Sequence, residues 1–343
     1  MPPLDPSDLD HVLATAGTIW DDLRGTRLFV TGGSGFFGRW LLESLTHADD
    51  RLSLGVEAVV LTRDPAAFAA AAPHLAAHRA IRLHEGDVRS FTGPPGPFEH
   101  VLHAATVPTP PADSWTVLDT VISGTRRTLD FAESSGTRRF LFVSSGAVYG
   151  RQPAGVSHLP EDFAGGPDPV DPASANAEGK RAGELMAVIA GGRSGFATTV
   201  ARGFACLGPL LPLSGQFAAG NFLRDALAGG PIAVGGDGTP LRSYLYTADL
   251  AAWLWTIHLR GAHGRAYNVG SESEVSILDL ASAVAAAVEP ELRVVVAGTP
   301  APGRPPERYV PDVTRAREEL GLRASVDLGE AIRRTIAWHR AHR

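Results

Sequence analysis

One glycine-rich segment constrains the fold of this chain more than any other feature of the sequence. It runs from Leu28 to Gly38 (LFVTGGSGFFG) and leads from a short apolar stretch into a helical pattern. Glycines spaced three apart allow a tight turn after a strand, and they let backbone N–H groups at the start of the next helix approach a pyrophosphate. A glycine-rich turn without a ligand has the same composition, but the strand-to-helix context favours a dinucleotide site. The residues predicted to line this site are Gly32, Gly35, Phe36, Phe37 and Gly38.

Short apolar strands alternate with longer helical patterns from Arg27 onward. Because these strands lack polar alternation, they are typical of a parallel sheet buried on both faces. After about Gly203 the sequence becomes rich in Gly and Pro and ends in an amphipathic helix. We predict an α/β protein with a Rossmann-type doubly wound parallel sheet and a smaller C-terminal α/β lobe that binds the substrate. The predicted units are a helical extension (1–25), a dinucleotide-binding domain (26–202) and the lobe (203–343), from which a strand or helix can return to the sheet.

The hydrophobic periodicity predicts individual elements. The predicted strands are Leu28–Thr31, Ala58–Leu61, Ala80–His84, His100–His103, Phe140–Ser144 and Thr198–Arg202. The predicted helices cover residues 4–24, 37–46, 65–78, 114–134, 178–190 and 328–342. The segment from Gly150 to Ala175 contains five Pro and four Gly, and so long a loop in a compact domain is often a functional lid.

Composition excludes several classes of protein. With 343 residues and a formal net charge of −6, the chain can bury a large core and is a poor non-specific binder of nucleic acid. The single cysteine, Cys206, can neither close an intramolecular disulfide nor build a zinc site. The N-terminus lacks the basic and apolar regions of a signal peptide, and no apolar run is long enough to span a membrane. We therefore expect a soluble, cytoplasmic protein without a metal.

The end of the second predicted strand bears on the choice of nicotinamide cofactor. An acidic residue there would accept a hydrogen bond from the ribose 2′-hydroxyl of NAD, whereas an arginine could hold the 2′-phosphate of NADP. The sequence reads Thr62-Arg63-Asp64. Arg63 favours NADP, and Asp64 keeps NAD as the alternative if the strand ends one residue later.

Further residues follow the next two strands at the same predicted edge. Asp87, before Val88, could accept from the adenine amino group, or could serve only as a turn or helix cap. Ala104 and Ala105 are small enough to let backbone lie against a cofactor. His103 alone is more typical of a packed core histidine than of a catalyst.

In these residues the chain resembles the extended short-chain dehydrogenase/reductase family, and within it the NAD(P)-dependent nucleotide-sugar epimerases, dehydratases and reductases. The resemblance covers about Arg27 to Trp338 and rests on motifs in the expected order. These are TGGSGFFG (31–38), GD (86–87), SSGAVYG (144–150), KRAGE (180–184), ARGF (201–204), GDG…RSY…D (236–249) and YNVG (267–270).

The resemblance implies a catalytic set of a hydroxyl residue, a tyrosine and a lysine. The tyrosine exchanges a proton with the sugar, while the lysine lowers the pKa of the phenol and binds the nicotinamide ribose. Ser145 matches the hydroxyl and Lys180 the lysine, but the position four before Lys180 is Asn176 rather than tyrosine. Three explanations remain open: a disabled variant, an enzyme that delegates the proton to another group, and a protein that binds without turnover.

Other departures from the family narrow the reaction that the resemblance implies. Nucleotide-sugar 4,6-dehydratases carry an Asp-Glu pair after the catalytic hydroxyl residue, and UDP-glucuronate decarboxylases use a Glu at the second position. Here Gly146 and Ala147 stand there, so neither reaction is expected by that route. What remains is 4-epimerisation or, favoured by Arg63, reduction of a 4-keto sugar. A family asparagine on the helix behind the site is replaced by Val121.

The resemblance also implies how the substrate and a second copy of the chain are bound. The expected substrate is a nucleotide-diphosphate sugar. Guanidinium groups suit such a substrate because they bind a diphosphate in bidentate fashion. Each arginine could equally be a surface residue or form an ion pair. Helices like those predicted for 114–134 and 178–190 pair two copies in such proteins, which implies a homodimer. The predicted substrate-binding residues are Tyr149, Arg202, Asn221, Arg242 and Arg308.

Overall fold

The computed structural model describes residues 2–106, 113–213, 215, 217–303 and 305–342. Its helices are α1 (Pro6–Ala16), α2 (Phe36–Leu52), α3 (Pro65–Ala71), α4 (Pro73–Ala76), α5 (Ser114–Ser134), α6 (Ala175–Ser194), α7 (Ala218–Ala228), α8 (Thr247–Arg260), α9 (Ile277–Ala286), α10 (Thr314–Leu320) and α11 (Leu328–Ala341). Its strands are β1 (Arg27–Thr31), β2 (Glu57–Thr62), β3 (Ile81–Glu85), β4 (His100–His103), β5 (Arg139–Ser145), β6 (Ala197–Gly203), β7 (Cys206–Leu207), β8 (Ile232–Val234), β9 (Leu241–Ser243), β10 (Leu245–Tyr246), β11 (Arg265–Val269), β12 (Glu274–Ser276), β13 (Val294–Val296) and β14 (Arg308–Tyr309).

Seven parallel strands form the central sheet, in the order β11-β6-β5-β4-β1-β2-β3. All six predicted strands lie in it, which confirms the Rossmann-type doubly wound fold. The seventh strand, β11, comes from the C-terminal part of the chain and pairs with β6. The strand order reverses between β1 and β4, and open α/β sheets bind their ligands outside the carboxyl ends of the strands at such a switch point.

Two predicted helices are interrupted, for local reasons, whereas α2 and α6 extend beyond the ranges 37–46 and 178–190 predicted for them. The helix predicted for residues 4–24 ends at Ala16, because Gly17 takes a φ of 62° that does not continue an α-helix, and a 3₁₀ segment, Gly17–Leu23, follows. The helix predicted for residues 65–78 is two helices, α3 and α4. The break falls at Ala72, whose φ of −143° and ψ of 62° lie outside the helical region that the following Pro73 disfavours.

The N-terminal extension is packed onto the body of the protein through aromatic and polar contacts. The rings of Trp20 and Trp255 lie 5.4 Å apart. The hydroxyl of Tyr246 donates to the carboxylate of Asp8 at 2.6 Å. These contacts tie the extension to β10 and α8.

The long loop after Gly150 is fixed to the C-terminal part of the chain. The amide of Leu159 donates to Val310 O at 2.9 Å, and the amide of Asp312 donates back to Leu159 O at 2.9 Å. Just before these residues, β14 pairs in parallel with β9, which pairs antiparallel with β12. The loop therefore holds β14 beside the segment that follows β5.

Candidate active site

The glycine turn after β1 is a cradle that side chains would fill. Gly32 has a φ of +75°, and a Cβ there would lie 2.5 Å from the carbonyl carbon of Ala104. A Cβ on Gly38 would lie 2.1 Å from Gly32 O. Gly35 occupies the N-cap of α2 without a side chain to cap it, so the first amides of the helix are left for a ligand such as a pyrophosphate. The cradle thus fits the predicted dinucleotide.

Phe36 and Phe37 begin α2 and are both half-buried. Their ring centroids lie 5.7 Å apart. A Cβ on Gly203 at the end of β6 would be 3.1 Å from the ring of Phe37. The second aromatic ring therefore extends from the cradle towards the end of β6.

The end of β2 presents Arg63 to solvent. β2 ends at Thr62, and the carboxylate of Asp64 accepts from the amide of Ala67 at 2.8 Å as the N-cap of α3. Arg63 is exposed and makes no hydrogen bond or ion pair with any residue that the structure describes. The Asp64 carboxylate keeps further acceptor sites, so Arg63 and Asp64 are both charged groups at this strand end, and the choice between NADP and NAD stays open.

The predicted adenine contacts lie beyond β3. The guanidinium of Arg89 binds both carboxylate oxygens of Asp87, at 2.9 and 3.0 Å, and holds the pKa of Asp87 below its usual range. Val88 packs on α5, 2.9 Å from the position of a Cβ on Gly124. Because a carboxylate has about four acceptor sites, the adenine prediction for Asp87 stays open, and Arg89 is an additional cation at this edge that the sequence analysis missed.

The strand-end residues after β4 are held by hydrogen bonds to Thr31. The amide of Ala104 donates to Thr31 O at 3.1 Å, and the amide of Ala105 donates to Thr31 Oγ1 at 3.3 Å. His103 uses both ring nitrogens, with Thr31 Oγ1 at 2.7 Å and Thr125 Oγ1 at 3.1 Å. Burial lowers the pKa of His103 to about 3, so this histidine is a neutral core residue that positions the backbone.

The predicted catalytic residues lie at the carboxyl end of β5 and on α6. Ser145 ends β5, and its Oγ accepts from the amide of Ala147 at 3.1 Å. Lys180 is buried, donates from Nζ to Val143 O at 2.7 Å, and has a pKa lowered to about 8 by burial. Asn176 is half-buried at the start of α6, and its side chain makes no hydrogen bond with the described part of the chain.

Lys180 also stands out in the composition. It is the only lysine in the sequence, since the other 30 of the 31 basic Lys and Arg residues are arginine. Arginine does not lose its proton in proteins, whereas a buried lysine readily shifts its pKa. The only lysine of the sequence is thus the buried residue whose amine contacts Val143 O of β5.

Two of the predicted substrate-binding residues are engaged within the protein instead. Tyr149 is only 2% exposed and donates to Asn268 Oδ1 at 2.7 Å. The guanidinium of Arg202 binds Glu184 at 2.7 Å and donates to the Tyr149 hydroxyl at 2.8 Å. These contacts favour the ion-pair alternative for Arg202, because they tie β6 to α6 and leave little of either polar group for a diphosphate.

The other predicted arginines meet in a cleft of about 400 Å³. Arg242 lies on β9 opposite Tyr309 of β14, and Arg308 forms an ion pair with Glu274 at 3.1 Å. Asn221 lies on α7, where its side chain donates to Gly215 O at 3.0 Å, and it does not line this cleft. The lining residues are Gly150, Arg151, Gln152, Arg242, Glu307, Arg308 and Tyr309. Sequence reasoning missed Arg151 and Tyr309, which no local pattern marks.

Two further features lie away from these motifs. A cleft of about 570 Å³ lies between the N-terminal extension and the segment around Leu320 and contains none of the predicted site residues. Asp49, Asp50 and His78 cluster closely enough to suit a cation, but Arg79 already pairs with both carboxylates. Across the described ranges, no helix is both long and apolar enough to cross a membrane.

A glycine cradle at the switch point of a doubly wound sheet, with a strand-end serine and a buried helix lysine at the same edge, defines a dinucleotide-binding protein of the short-chain dehydrogenase/reductase type. Comparison with known families agrees with this class. The chain belongs to the NAD-dependent epimerase/dehydratase family, whose sequence profile matches residues 28–270.

Individual relatives cover most of the chain. UDP-glucuronic acid decarboxylase 1 of Arabidopsis thaliana is 27% identical over 319 residues, which are 91% of this chain and 69% of that protein. The dTDP-glucose 4,6-dehydratase of Streptomyces griseus is 28% identical over 336 residues, with 93% and 95% coverage. The structure of UDP-glucose 4-epimerase from Thermotoga maritima with UDP-glucose superposes with a TM-score of 0.74, at 22% identity and with 92% and 99% coverage. That last likeness supports the fold.

Proposed function

We propose that this chain is an NAD(P)-dependent enzyme that transfers a hydride at C4 of a nucleotide-diphosphate sugar, with reduction of a 4-keto sugar favoured over 4-epimerisation. One observation carries the proposal: Ser145 and Lys180 lie at the same sheet edge as the Gly32–Gly38 cradle. A cofactor in the cradle and a sugar at Ser145 would then meet outside the ends of β1, β4 and β5.

The cleft beside β5 supplies the chemistry that a diphosphate needs. Arg151, Arg242 and Arg308 all line it. Guanidinium groups bind phosphate oxygens in pairs, and several of them in one cleft also compensate the two negative charges. The Tyr149 and Arg202 network lies beside this cleft and fixes its wall rather than binding the substrate itself.

Each catalytic side chain has a role that its contacts permit. Ser145 Oγ, with one lone pair occupied by Ala147 N, holds the reacting sugar oxygen by a second hydrogen bond. Lys180 is anchored by Val143 O and has further N–H groups to donate to the ribose hydroxyls. A bound nicotinamide supplies or accepts the hydride. We assign the exclusion of water to the loop after Gly150, which is fixed at Leu159 by its backbone hydrogen bonds to Val310 and Asp312.

Dehydration and decarboxylation are not proposed, although relatives of this chain carry those names. The family resemblance implies that dehydration needs a carboxyl group at both positions after the hydroxyl residue, and that decarboxylation needs one at the second position. Gly146 and Ala147 occupy these positions, and neither has a group that can accept or donate a proton.

A second candidate function is a protein that binds a dinucleotide and a nucleotide sugar without turnover. Asn176 is the observation that favours it, because an amide does not exchange protons near neutral pH. Loss of a general acid–base group typically lowers a rate by about 10²–10⁴-fold.

Two measurements test the proposed function. The protein is denatured and the released dinucleotide is identified, and UDP-, CDP-, GDP- and dTDP-linked sugars and 4-keto sugars are then screened while nicotinamide absorbance is followed. We expect turnover of a 4-keto sugar nucleotide with net consumption of the reduced cofactor. Turnover without net consumption would indicate epimerisation, and binding of cofactor and sugar without turnover would favour the second candidate.

Arg63 supports a preference for NADP, since it is the exposed cation at the end of β2. Replacing Arg63 by alanine should weaken NADP binding by about 10–100-fold, the value of a charge-assisted contact to phosphate, and leave NAD binding unchanged. Fluorescence titration with each dinucleotide measures this effect. Arg340→Ala on α11, an exposed arginine far from the cradle, is the control. An equal loss for both cofactors would contradict the assignment.

The helices α5 and α6 support a homodimer as the state of this enzyme. They pack closely because a Cβ on Gly179 would lie only 3.1 Å from Val121. Their outer surfaces expose Trp115, Leu185 and Ile189, at 78%, 62% and 57%. Exposed apolar side chains in a patch are typical of an interface. A mass of one chain by light scattering would contradict this expectation.

A further inference from the structure

Tyr309 lies at the candidate active site without being part of any motif there. It belongs to β14, opposite Arg242 of β9, and its ring packs on Phe204 with centroids 4.6 Å apart. The next residue is fixed on both sides, since Val310 N donates to Gln152 Oε1 at 2.9 Å and Val310 O accepts from Leu159 N at 2.9 Å. Tyr309 is therefore held rigidly.

The hydroxyl of Tyr309 reaches the residues that follow β5. A Cβ on Gly146 would lie 2.6 Å from Tyr309 Oη, a distance that no side chain at position 146 could keep without displacing the phenol. The side chain of Ser145 lies close enough to this hydroxyl to lower the pKa of the phenol. The absence of a side chain at Gly146 thus leaves space for the phenolic hydroxyl of Tyr309, which belongs to β14.

We propose that Tyr309 is the proton donor of this enzyme, taking the role for which Asn176 has no suitable group. This inference rests on the proposed function and deepens it. Ser145 Oγ and Tyr309 Oη would both contact the C4 oxygen of the substrate, as adjacent hydroxyl groups at the edge of β5. Tyr309 also lines the cleft with Arg242 and Arg308, which places it beside the guanidinium groups proposed to bind the diphosphate.

The reduction step balances with this assignment. The carbonyl carbon would receive the hydride that a reduced nicotinamide supplies when bound, and a new C–H bond would form. The electron pair of the C=O π bond moves to oxygen, which takes the proton of the Tyr309 O–H group. The phenolate that is left regains a proton from water in the cleft of about 400 Å³. The products are the 4-hydroxy sugar and the oxidised cofactor.

The surroundings of Tyr309 keep it protonated and hence ready to donate. Burial raises the pKa of the phenol above its usual range. Ser145 and Arg242 act in the opposite direction, and Tyr149 and Cys206 add to the rise. The phenol is therefore protonated at physiological pH and begins as a donor rather than a base, and the raised pKa makes it a weaker acid than an ordinary tyrosine. This protonation state suits carbonyl reduction better than the deprotonation that begins an epimerisation.

The test compares Tyr309→Phe with the wild type on the 4-keto sugar nucleotide found by the screen. We expect kcat to fall by about 10²–10⁴-fold, with KM and the affinity for the dinucleotide unchanged. Tyr267→Phe is the matched control, because it removes a tyrosine hydroxyl that bonds to Glu319 away from the site. In the double variant Tyr309→Phe, Asn176→Tyr, a phenol returns at the family position, and part of the lost kcat should return with it.

A second readout does not depend on activity. The protein has five tyrosines, so fluorotyrosine labelling gives a simple fluorine NMR spectrum in which Tyr309→Phe assigns the Tyr309 signal. We expect this signal to move in Ser145→Ala and on addition of UDP-glucose as a probe. A signal that responds to neither would overturn the placement of the phenol. Wild-type turnover that Tyr309→Phe leaves intact would overturn its catalytic role alone, whereas absence of wild-type turnover with a responsive signal would overturn the proposed function.

Discussion

Replacing Gly38 by alanine should abolish measurable dinucleotide binding and lower the free energy of unfolding by about 3 kcal/mol, as expected for overpacking against atoms that cannot move. The new Cβ would lie 2.1 Å from Gly32 O and 2.6 Å from Gly33 Cα. Both are backbone atoms of the cradle, so either the turn or the start of α2 must shift. The amides that would bind the pyrophosphate shift with it. Equilibrium dialysis with NADP and urea denaturation measure the two effects.

The control for this prediction is Gly192→Ala near the end of α6. Gly192 is also helical and exposed, and a Cβ there would meet nothing within 4 Å. Alanine is a better helix former than glycine by about 1 kcal/mol, so this variant should be slightly more stable and should bind the dinucleotide normally. Normal binding by Gly38→Ala would show that the cradle does not hold the cofactor.

The fold could be predicted from the sequence because its signals are local. The glycine turn, the non-alternating apolar strands and the helices between them each lie within a few consecutive residues, and together they indicate a parallel doubly wound sheet. Pro73 is a local signal of the same kind, and it indicates the break between α3 and α4. The end of α1 at Gly17 depends on a φ of 62° that the identity of a glycine permits but does not require.

The candidate site could be predicted only in part, because several of its contacts join distant segments. The sequence identifies Arg202 and Tyr149 as polar residues near a strand end, but it does not reveal that Glu184 and Asn268 already satisfy them. Nor does it bring Tyr309 to Gly146, since that contact depends on a two-residue strand held by the loop at Leu159. Local motif spacing therefore points to the cradle, whereas the substrate side depends on contacts between distant segments.

The proposed role of Tyr309 would account for the absence of the family tyrosine from α6. Gly32 follows β1 and Gly146 follows β5, and the missing side chain leaves space for a different group at each position. Gly32 admits the backbone of Ala104, whereas Gly146 admits a side chain, the phenol of Tyr309. If the proton comes from that side chain, the position on α6 is released from its chemical role, and the amide of Asn176 can occupy it without loss of the reaction.

Replacing Lys180 by methionine should make the protein more stable at neutral pH while it weakens dinucleotide binding. Burial lowers the pKa of Lys180 from 10.5 to about 8. Below pH 8 the amine is charged in both the folded and the unfolded protein, and the folded state bears a penalty of about 3 kcal/mol. The hydrogen bond to Val143 O returns about 1 kcal/mol. The net expectation is a gain of about 2 kcal/mol for Lys180→Met at pH 7.

This gain should disappear as the pH rises, and the pH dependence separates the charge from general packing effects. Between about pH 8 and 10.5 the unfolded chain holds a proton that the folded state has released, so the wild type gains stability relative to Lys180→Met and overtakes it near the upper end. Urea denaturation across this range measures the difference. Lys180→Arg, which keeps a charge that cannot be shed, is the control and should be less stable than the wild type throughout. Because Lys180 is the only lysine, isotope-labelled lysine gives a single side-chain NMR signal that reads its pKa directly, and an ordinary value would contradict the prediction.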